Sequence, residues 1–134
     1  MDSQHVAIGI IVRESLILLA RRRDGDGFAD QWEFPGGKLN KDESATECLH
    51  RELAEEVGIG VRIVGRLAPV THSYETFRVC LHPFVVEIES GVPASLAAKE
   101  LRWFAADELQ SLAFPAANAL LVAQLPGILR QLGL

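Results

Sequence analysis

Two apolar runs rich in β-branched residues, Val6 to Val12 and Leu16 to Ala20, flank the polar triplet Arg13-Glu14-Ser15. Short runs of this kind on either side of a turn signal predict two strands joined as a buried hairpin. Arg21 to Gln31 carries charges, two glycines and no periodicity, and so predicts a loop. Its three leading arginines suit either a phosphate contact or a solvated strand end. Trp32, Phe34 and Pro35 lead into Gly36-Gly37, where the backbone is free to approach a ligand or ion closely. Ser44 followed by Glu47 has capping-box spacing, and Gly58 suits a left-handed stop, so a helix is predicted from about Ala45 to Val57. Val61 to Val70 holds strand-like stretches broken at Gly65 and Pro69. Thr76 to Ile88 reads as a long strand, with Pro83 pointing to an edge or a bulge. A turn at Ser90 to Pro93, a short strand at Leu101 to Phe104 and a brief helix at Ala106 to Leu112 follow. Ala117 to Leu132 completes the pattern as an amphipathic helix interrupted near Pro126-Gly127. This order predicts an α/β (α+β) architecture, a mixed sheet sandwiched between helices.

Composition narrows the class. The 134 residues are 49% hydrophobic, enough for one packed domain without disulfides. The net charge of −5 disfavours a broad basic surface for nucleic-acid polymers but permits a small anionic ligand held through bound cations. Cys48 and Cys80 are the two cysteines, and Cys48 falls inside the predicted helix, so both are expected to be reduced thiols. The polar start from Met1 to His5 and the lack of an apolar run near the roughly 20 residues of a membrane span predict a soluble cytoplasmic protein.

The chemistry concentrates on the predicted helix. At about 100° per residue, Glu52, Glu55 and Glu56 fall within one arc beside the apolar stripe of Leu49, Leu53 and Val57. Three carboxylates so placed repel one another unless a cation compensates them, and hard oxygen donors suit Mg²⁺ or Mn²⁺. A solvated acidic face is the plainer reading of the triplet taken alone.

The wider spacing decides between the two. Gly37, Glu43, Arg51-Glu52-Leu53, Glu55-Glu56, Gly58 and Ile59 fill every defined position of G-x5-E-x7-R-E-U-x-E-E-x-G-U, with U apolar. In this the chain resembles the Nudix hydrolases, and the resemblance implies a single Nudix domain over residues 1–134 with its box at 37–59, folded as an α/β/α sandwich around a central mixed sheet. It further implies Mg²⁺-dependent hydrolysis of a nucleoside diphosphate linked to another group, with Mn²⁺ as a substitute ion. By position, Glu52, Glu55, Glu56 and the Gly37 carbonyl would bind metal, Arg51 would orient the glutamates, and Glu43 would support the loop and helix. For the general base, Glu100 is the candidate outside the box, with Glu52 and Glu56 its competitors within it.

Residues outside the box resemble the MutT branch of the family, whose members remove oxidised guanine nucleotides: Arg21-Arg22, the run Trp32 to Lys38, and Phe114-Pro115-Ala116-Ala117-Asn118. The resemblance makes Asn118 the base reader, since an amide offers donor and acceptor together; a helix N-cap is its structural alternative. Arg22 and, more weakly, Lys38 would contact phosphate. Phe77 would line the base pocket or serve as a core aromatic, and His72 is expected to be a structural or surface histidine and not a ligand. Ala116 departs from the branch's second proline, which loosens that segment's backbone. The expected reaction is 8-oxo-dGTP to 8-oxo-dGMP and pyrophosphate. The alternatives are a Nudix diphosphatase acting on CTP-type nucleotides or the 5′ triphosphate end of RNA, and a noncatalytic nucleotide-binding module. The complete acidic set, and an end at Leu134 without an attached glycosylase region, weigh against the last. The expected partner is a small nucleotide, with neither membrane nor stable polymer binding, and the protein is expected to be a monomer or homodimer.

Overall fold

A computed structural model describes residues 2–25, 28 and 30–134; the predicted loop over 21–31 therefore lies partly outside the described residues. The two continuous apolar runs found in sequence become the hairpin of β1 (Asp2–Arg13) and β2 (Leu16–Arg21). Glu14 and Ser15 turn it with φ of 51° and 66°, the doubly left-handed geometry that matches strand twist in a two-residue turn. β1 is the sheet's centre. It runs parallel to β7 (Phe77–Ser90) from Asp2 opposite Phe77 to Ile11 opposite Val86. Its other edge is shared: Val6 to Ile8 pair with β4 (Gly36–Lys38), and Ile11 to Arg13 pair with β2. At the fork, Gly9 N–H donates to the Pro35 carbonyl at 2.8 Å. β3 (Trp32–Glu33) and β8 (Glu100–Ala105) both pair with β2, while β5 (Gly60–Arg66) and β6 (Val70–Ser73) divide the free edge of β7 between them.

This topology puts β7 in the interior, not at an edge. Pro83 is accommodated because it sits where the partner of β7 changes from β6 to β5; its carbonyl accepts from Leu67 N–H at 3.0 Å, and the missing N–H falls at the switch. The register shift near this point belongs to β5, between Ile63 and Gly65. Gly65 thus stays inside a strand, and the break comes at residues 67–69.

Alternation along β1 explains the two cores. Ile8, Ile10 and Val12 pack with Leu81, Val85, Leu121 and Leu125 under the C-terminal helices, whereas Ala7 and Ile11 face Leu49, Leu53 and Val57 of α1 (Ala45–Val57). Gly9 lets α1 settle close, since a Cβ there would stand 3.0 Å from Leu53 Cδ1. The caps of α1 are as its sequence predicts: Ser44 and Glu47 exchange both capping-box bonds, and Gly58 ends the helix at φ 76°. Opposite it lie a 3-10 helix (Ala106–Ser111), α2 (Ala116–Val122) and α3 (Leu125–Gln131). The helix break falls at 123–124, ahead of Pro126, which occupies the first turn of α3, where its lost N–H costs nothing. Asn118 is accordingly inside α2, and Pro115 holds the N-cap position in its place. No helix among the described residues is long and apolar enough to cross a membrane.

Candidate active site

Gly37 and Glu52 meet where α1 crosses β4. A Cβ at Gly37 would lie 2.3 Å from the Glu52 carboxyl carbon, so the close backbone approach expected at the Gly-Gly pair is made against a carboxylate of the same box. Arg51 organises the surrounding acids. Its Nε and Nη2 form a two-pronged pair with Glu43 at 2.7 and 2.9 Å, Nη1 donates to Glu52 at 2.7 Å and to Glu55 at 3.2 Å, and Nη2 also reaches the Lys38 carbonyl at 3.1 Å. One guanidinium therefore ties the loop before α1, the helix and β4 together. Cys48 adds a contact that its place in the predicted helix did not reveal: its Sγ–H donates to the Gly37 carbonyl at 3.3 Å. Burial raises that thiol to about 11, which keeps the proton on sulfur and the donor intact.

The charges are unevenly compensated. Hydrogen bonds from Arg51, and then from the Asn40 backbone, lower Glu43 to about 2. Glu56 goes the other way. Burial first, then the charge of Glu52, its hydrogen bond with Glu52 and the charge of Glu33, raise it to about 8. Glu52 is buried and Glu55 is exposed. This donor set fits a divalent cation: three carboxylates and a carbonyl are hard oxygens, and a carboxyl left protonated for want of positive charge is one that a cation would ionise.

Beside the box opens a cleft of about 610 Å³. Gly36, Gly37, Lys38 and Glu56 line one part of it, and Arg22 and Arg23 border it from the end of β2. The arginine triplet is thereby divided, because Arg21 turns to Glu100 and Asp30 while Arg22 pairs with Glu33. Phe77 lines the cleft stacked on Tyr74 at 5.0 Å, and Phe28 lies 5.4 Å from Tyr74. The Tyr74 hydroxyl accepts from Ala117 N–H at 3.2 Å, which braces this aromatic wall against α2. Tyr74 was also missed; two aromatics flanking the tight connection from β6 to β7 are the local signal that marks it. His72 packs edge-on against Tyr74 at 4.7 Å.

Asn118, 7% exposed, reaches the cleft from α2 and accepts the Phe34 N–H on Oδ1 at 3.3 Å. Because a backbone N–H can only donate, this bond fixes which end of the amide is the oxygen, and leaves the NH₂ out of the contact with Phe34. Glu100 is not brought into the cluster. It stands opposite Arg21 in the β2–β8 ladder, bonded to Arg21 at 2.9 Å and to Arg102 at 3.0 Å, and the Arg21 hydrogen bond lowers its pKa.

A mixed sheet between helices, an arginine-clamped carboxylate cluster and an adjoining cleft define a metal-dependent hydrolase of phosphoric anhydrides. A family model described as NUDIX domain matches residues 7–124, and the chain belongs to the Nudix family. It is 35% identical over 121 residues to an 8-oxo-dGTP diphosphatase of Haemophilus influenzae, covering 90% of this chain and 89% of that protein. To a CTP pyrophosphohydrolase of Escherichia coli it is 34% identical over 119 residues, covering 89% and 87%. The crystal structure of a MutT NUDIX hydrolase from Burkholderia pseudomallei superposes with a TM-score of 0.79 at 25% identity, over 93% of this chain and 99% of that one.

Proposed function

We propose that the protein hydrolyses 8-oxo-dGTP to 8-oxo-dGMP and pyrophosphate, using Mg²⁺ with Mn²⁺ as a substitute, and so clears oxidised guanine nucleotide from the cytoplasmic pool. The observation that carries this reading is that one cleft is lined both by the box residues Gly37 and Glu56 and by the buried Asn118. The relatedness to a named 8-oxo-dGTP diphosphatase over most of both chains supports it.

In this reading Glu52, Glu55, Glu56 and the Gly37 carbonyl hold the ion, which when bound neutralises the polyphosphate and acidifies the attacking water. Arg51 fixes Glu52 and Glu55, and Glu43 fixes Arg51. Arg22 and Lys38 bind phosphate, and the Phe77–Tyr74 wall stacks on the base. The NH₂ of Asn118 donates to a base carbonyl. Its Oδ1 keeps a second lone pair, for which the N7–H of 8-oxoguanine is a donor and the N7 of guanine is not. Water adds at phosphorus, the anhydride oxygen leaves with its phosphate, and the water's proton passes to a carboxylate at the cleft, for which Glu56 is better placed than the arginine-paired Glu100. Glu100 instead positions Arg21 at the end of β2. The working protein is a monomer or homodimer acting on free nucleotide.

The test is a panel of 8-oxo-dGTP, dGTP, CTP and triphosphorylated RNA, each with Mg²⁺, compared by kcat/KM. The expected result is a preference for 8-oxo-dGTP over dGTP of at least about tenfold, the order set by one hydrogen-bonding difference. Equal or faster dGTP turnover overturns the sanitising role. Faster CTP turnover supports the second reading, which the likeness to the CTP pyrophosphohydrolase favours.

A further inference from the structure

Away from the cleft, where α1 leaves the sheet uncovered, three side chains from the two central strands converge. His5 of β1 stands directly opposite Cys80 of β7, and His82 lies two residues further along the same face. One ligand atom from each lies within 4.8 Å of the others, and His5 Nδ1 and His82 Nε2 are 3.0 Å apart. We propose that His5, Cys80 and His82 form a second metal site, specific for a thiophilic divalent ion of the zinc class and separate from the carboxylate box.

Ligand chemistry separates the two sites. The box offers hard oxygens, which suit Mg²⁺; a thiolate and two imidazoles suit Zn²⁺ or Co²⁺ and offer little to Mg²⁺. The geometry needs little adjustment. Bonds of about 2.0–2.1 Å to nitrogen and 2.3 Å to sulfur place tetrahedral ligand atoms roughly 3.3–3.6 Å apart, so the two imidazole nitrogens, now 3.0 Å apart, open slightly, and the sulfur, within 4.8 Å of both, moves by at most about 1.5 Å. The imidazoles already share a hydrogen bond, so one ring nitrogen presents a lone pair where the ion would sit. Binding releases the Cys80 thiol proton to solvent, while the imidazole that donates in the shared hydrogen bond shifts its proton to its other ring nitrogen, so both histidines bind as neutral rings and the fourth position is left to water.

The site's position also gives it a consequence. The neighbours that point to the other side of these strands, Gln4 and Val6 on β1 and Val79 and Leu81 on β7, line the nucleotide cleft. An ion bridging His5 to Cys80 and His82 therefore pins the parallel pair from behind the cleft wall, acting as a structural clamp. The inference does not depend on the nucleotide assigned to the cleft.

The test is titration of the reduced protein with Co²⁺ under a large excess of Mg²⁺, followed by the thiolate-to-cobalt charge-transfer absorption and then by displacement with Zn²⁺. Saturation at one equivalent is expected. The band should vanish in Cys80→Ser, and Zn²⁺ affinity should fall by at least about tenfold in His82→Ala and in His5→Gln. His5 is exposed, so His5→Gln keeps the fold and decides the matter if either other variant does not. Absence of the band in the parent, its persistence in Cys80→Ser, which would assign it to Cys48, or affinity unchanged in His5→Gln overturns the proposal.

Discussion

Replacing Gly37 with alanine tests whether the box works by close approach of backbone to carboxylate. The new Cβ would meet the Glu52 carboxyl group at 2.3, 2.4 and 2.6 Å from its carbon and two oxygens. Ordinary carbon contacts begin near 3.5 Å, so the carboxylate must withdraw by about 1 Å. Withdrawal disturbs the 2.7 Å bond to Arg51, and through Arg51 the grip on Glu43 and Glu55. Overpacking of this kind costs about 1–3 kcal/mol, a fall in melting midpoint of several degrees, whereas a displacement of about 1 Å at reacting groups costs about 100-fold in rate. Gly37→Ala should therefore fold and lose about two orders of magnitude in kcat/KM. Gly36→Ala should behave differently, because its Cβ would lie 2.0 Å from the Ala7 carbonyl oxygen and 2.8 Å from Ile8 Cα, atoms of a central strand that cannot retreat. That variant should fail on stability. Gly127→Ala, with nothing within 4 Å in α3, is the silent control. The assay is steady-state hydrolysis across an Mg²⁺ titration beside a thermal melt of each variant. Gly37→Ala with at least about a third of the parent rate would refute the close-approach reasoning; so would a Gly37→Ala protein that unfolds as Gly36→Ala does.

Four further outcomes follow from the same geometry. Glu56→Gln should keep the fold and lose about 100-fold or more in rate with weakened Mg²⁺ binding, measured by activity and calorimetry; retained activity would remove Glu56 from the metal set. Glu100→Gln should change kcat by less than about tenfold, since its carboxylate is spent on Arg21 and Arg102, and a loss near that of Glu56→Gln would restore it as the base. Asn118→Ala should abolish the preference for 8-oxo-dGTP over dGTP; a retained preference moves base reading elsewhere. Glu56 in the metal-free protein sits at about 8 against an ordinary 4.5, so folding takes up a proton between those values and this group's stabilising contribution fades as pH rises through the window. Melting of metal-free protein should thus show a downward slope with pH that Glu56→Gln lacks, while Mg²⁺ affinity of the parent rises across the same range; a slope identical in both proteins would refute the assignment.

What could be read from the chain beforehand was local. The limits of α1 are set by Ser44, Glu47 and Gly58, each acting within one helical turn, and they fall where the spacing places them. The apolar runs of β1 and β2 likewise announced strands buried on both faces. What escaped was decided by pairing across long stretches of chain. Pro83 suggested an edge or a bulge in its own strand because a lone strand pattern says nothing of where its partner changes. Pro126 suggested an interruption, yet at a first-turn position the same residue starts a helix. Asn118, for which a cap was the alternative reading, lies inside α2 because that helix starts at Ala116 behind Pro115, and Phe34 N–H orients it there. The pairing of Glu100 with Arg21 follows from the β2–β8 register, which no local signal encodes.

The same division separates the two tasks of the site. The carboxylate cluster rests on one helix and the short loop before it, and Arg51, Glu43 and Cys48 link it to β4 within a segment bounded by Gly37 and Gly58. Its geometry is almost self-contained, which is why a linear spacing can specify it. The cleft walls come instead from β2, the β6–β7 connection and α2, brought together only by the completed sheet. On the proposed reading, a change at Tyr74, Phe77 or Asn118 should therefore reshape base recognition without loosening Arg51 or Glu52. Substitutions along that wall should move KM and nucleotide preference, while substitutions in the box should move kcat for every nucleotide alike. A wall variant such as Phe77→Ala that lowered kcat equally on all nucleotides, with KM unchanged, would show that the two tasks are not mechanically separate.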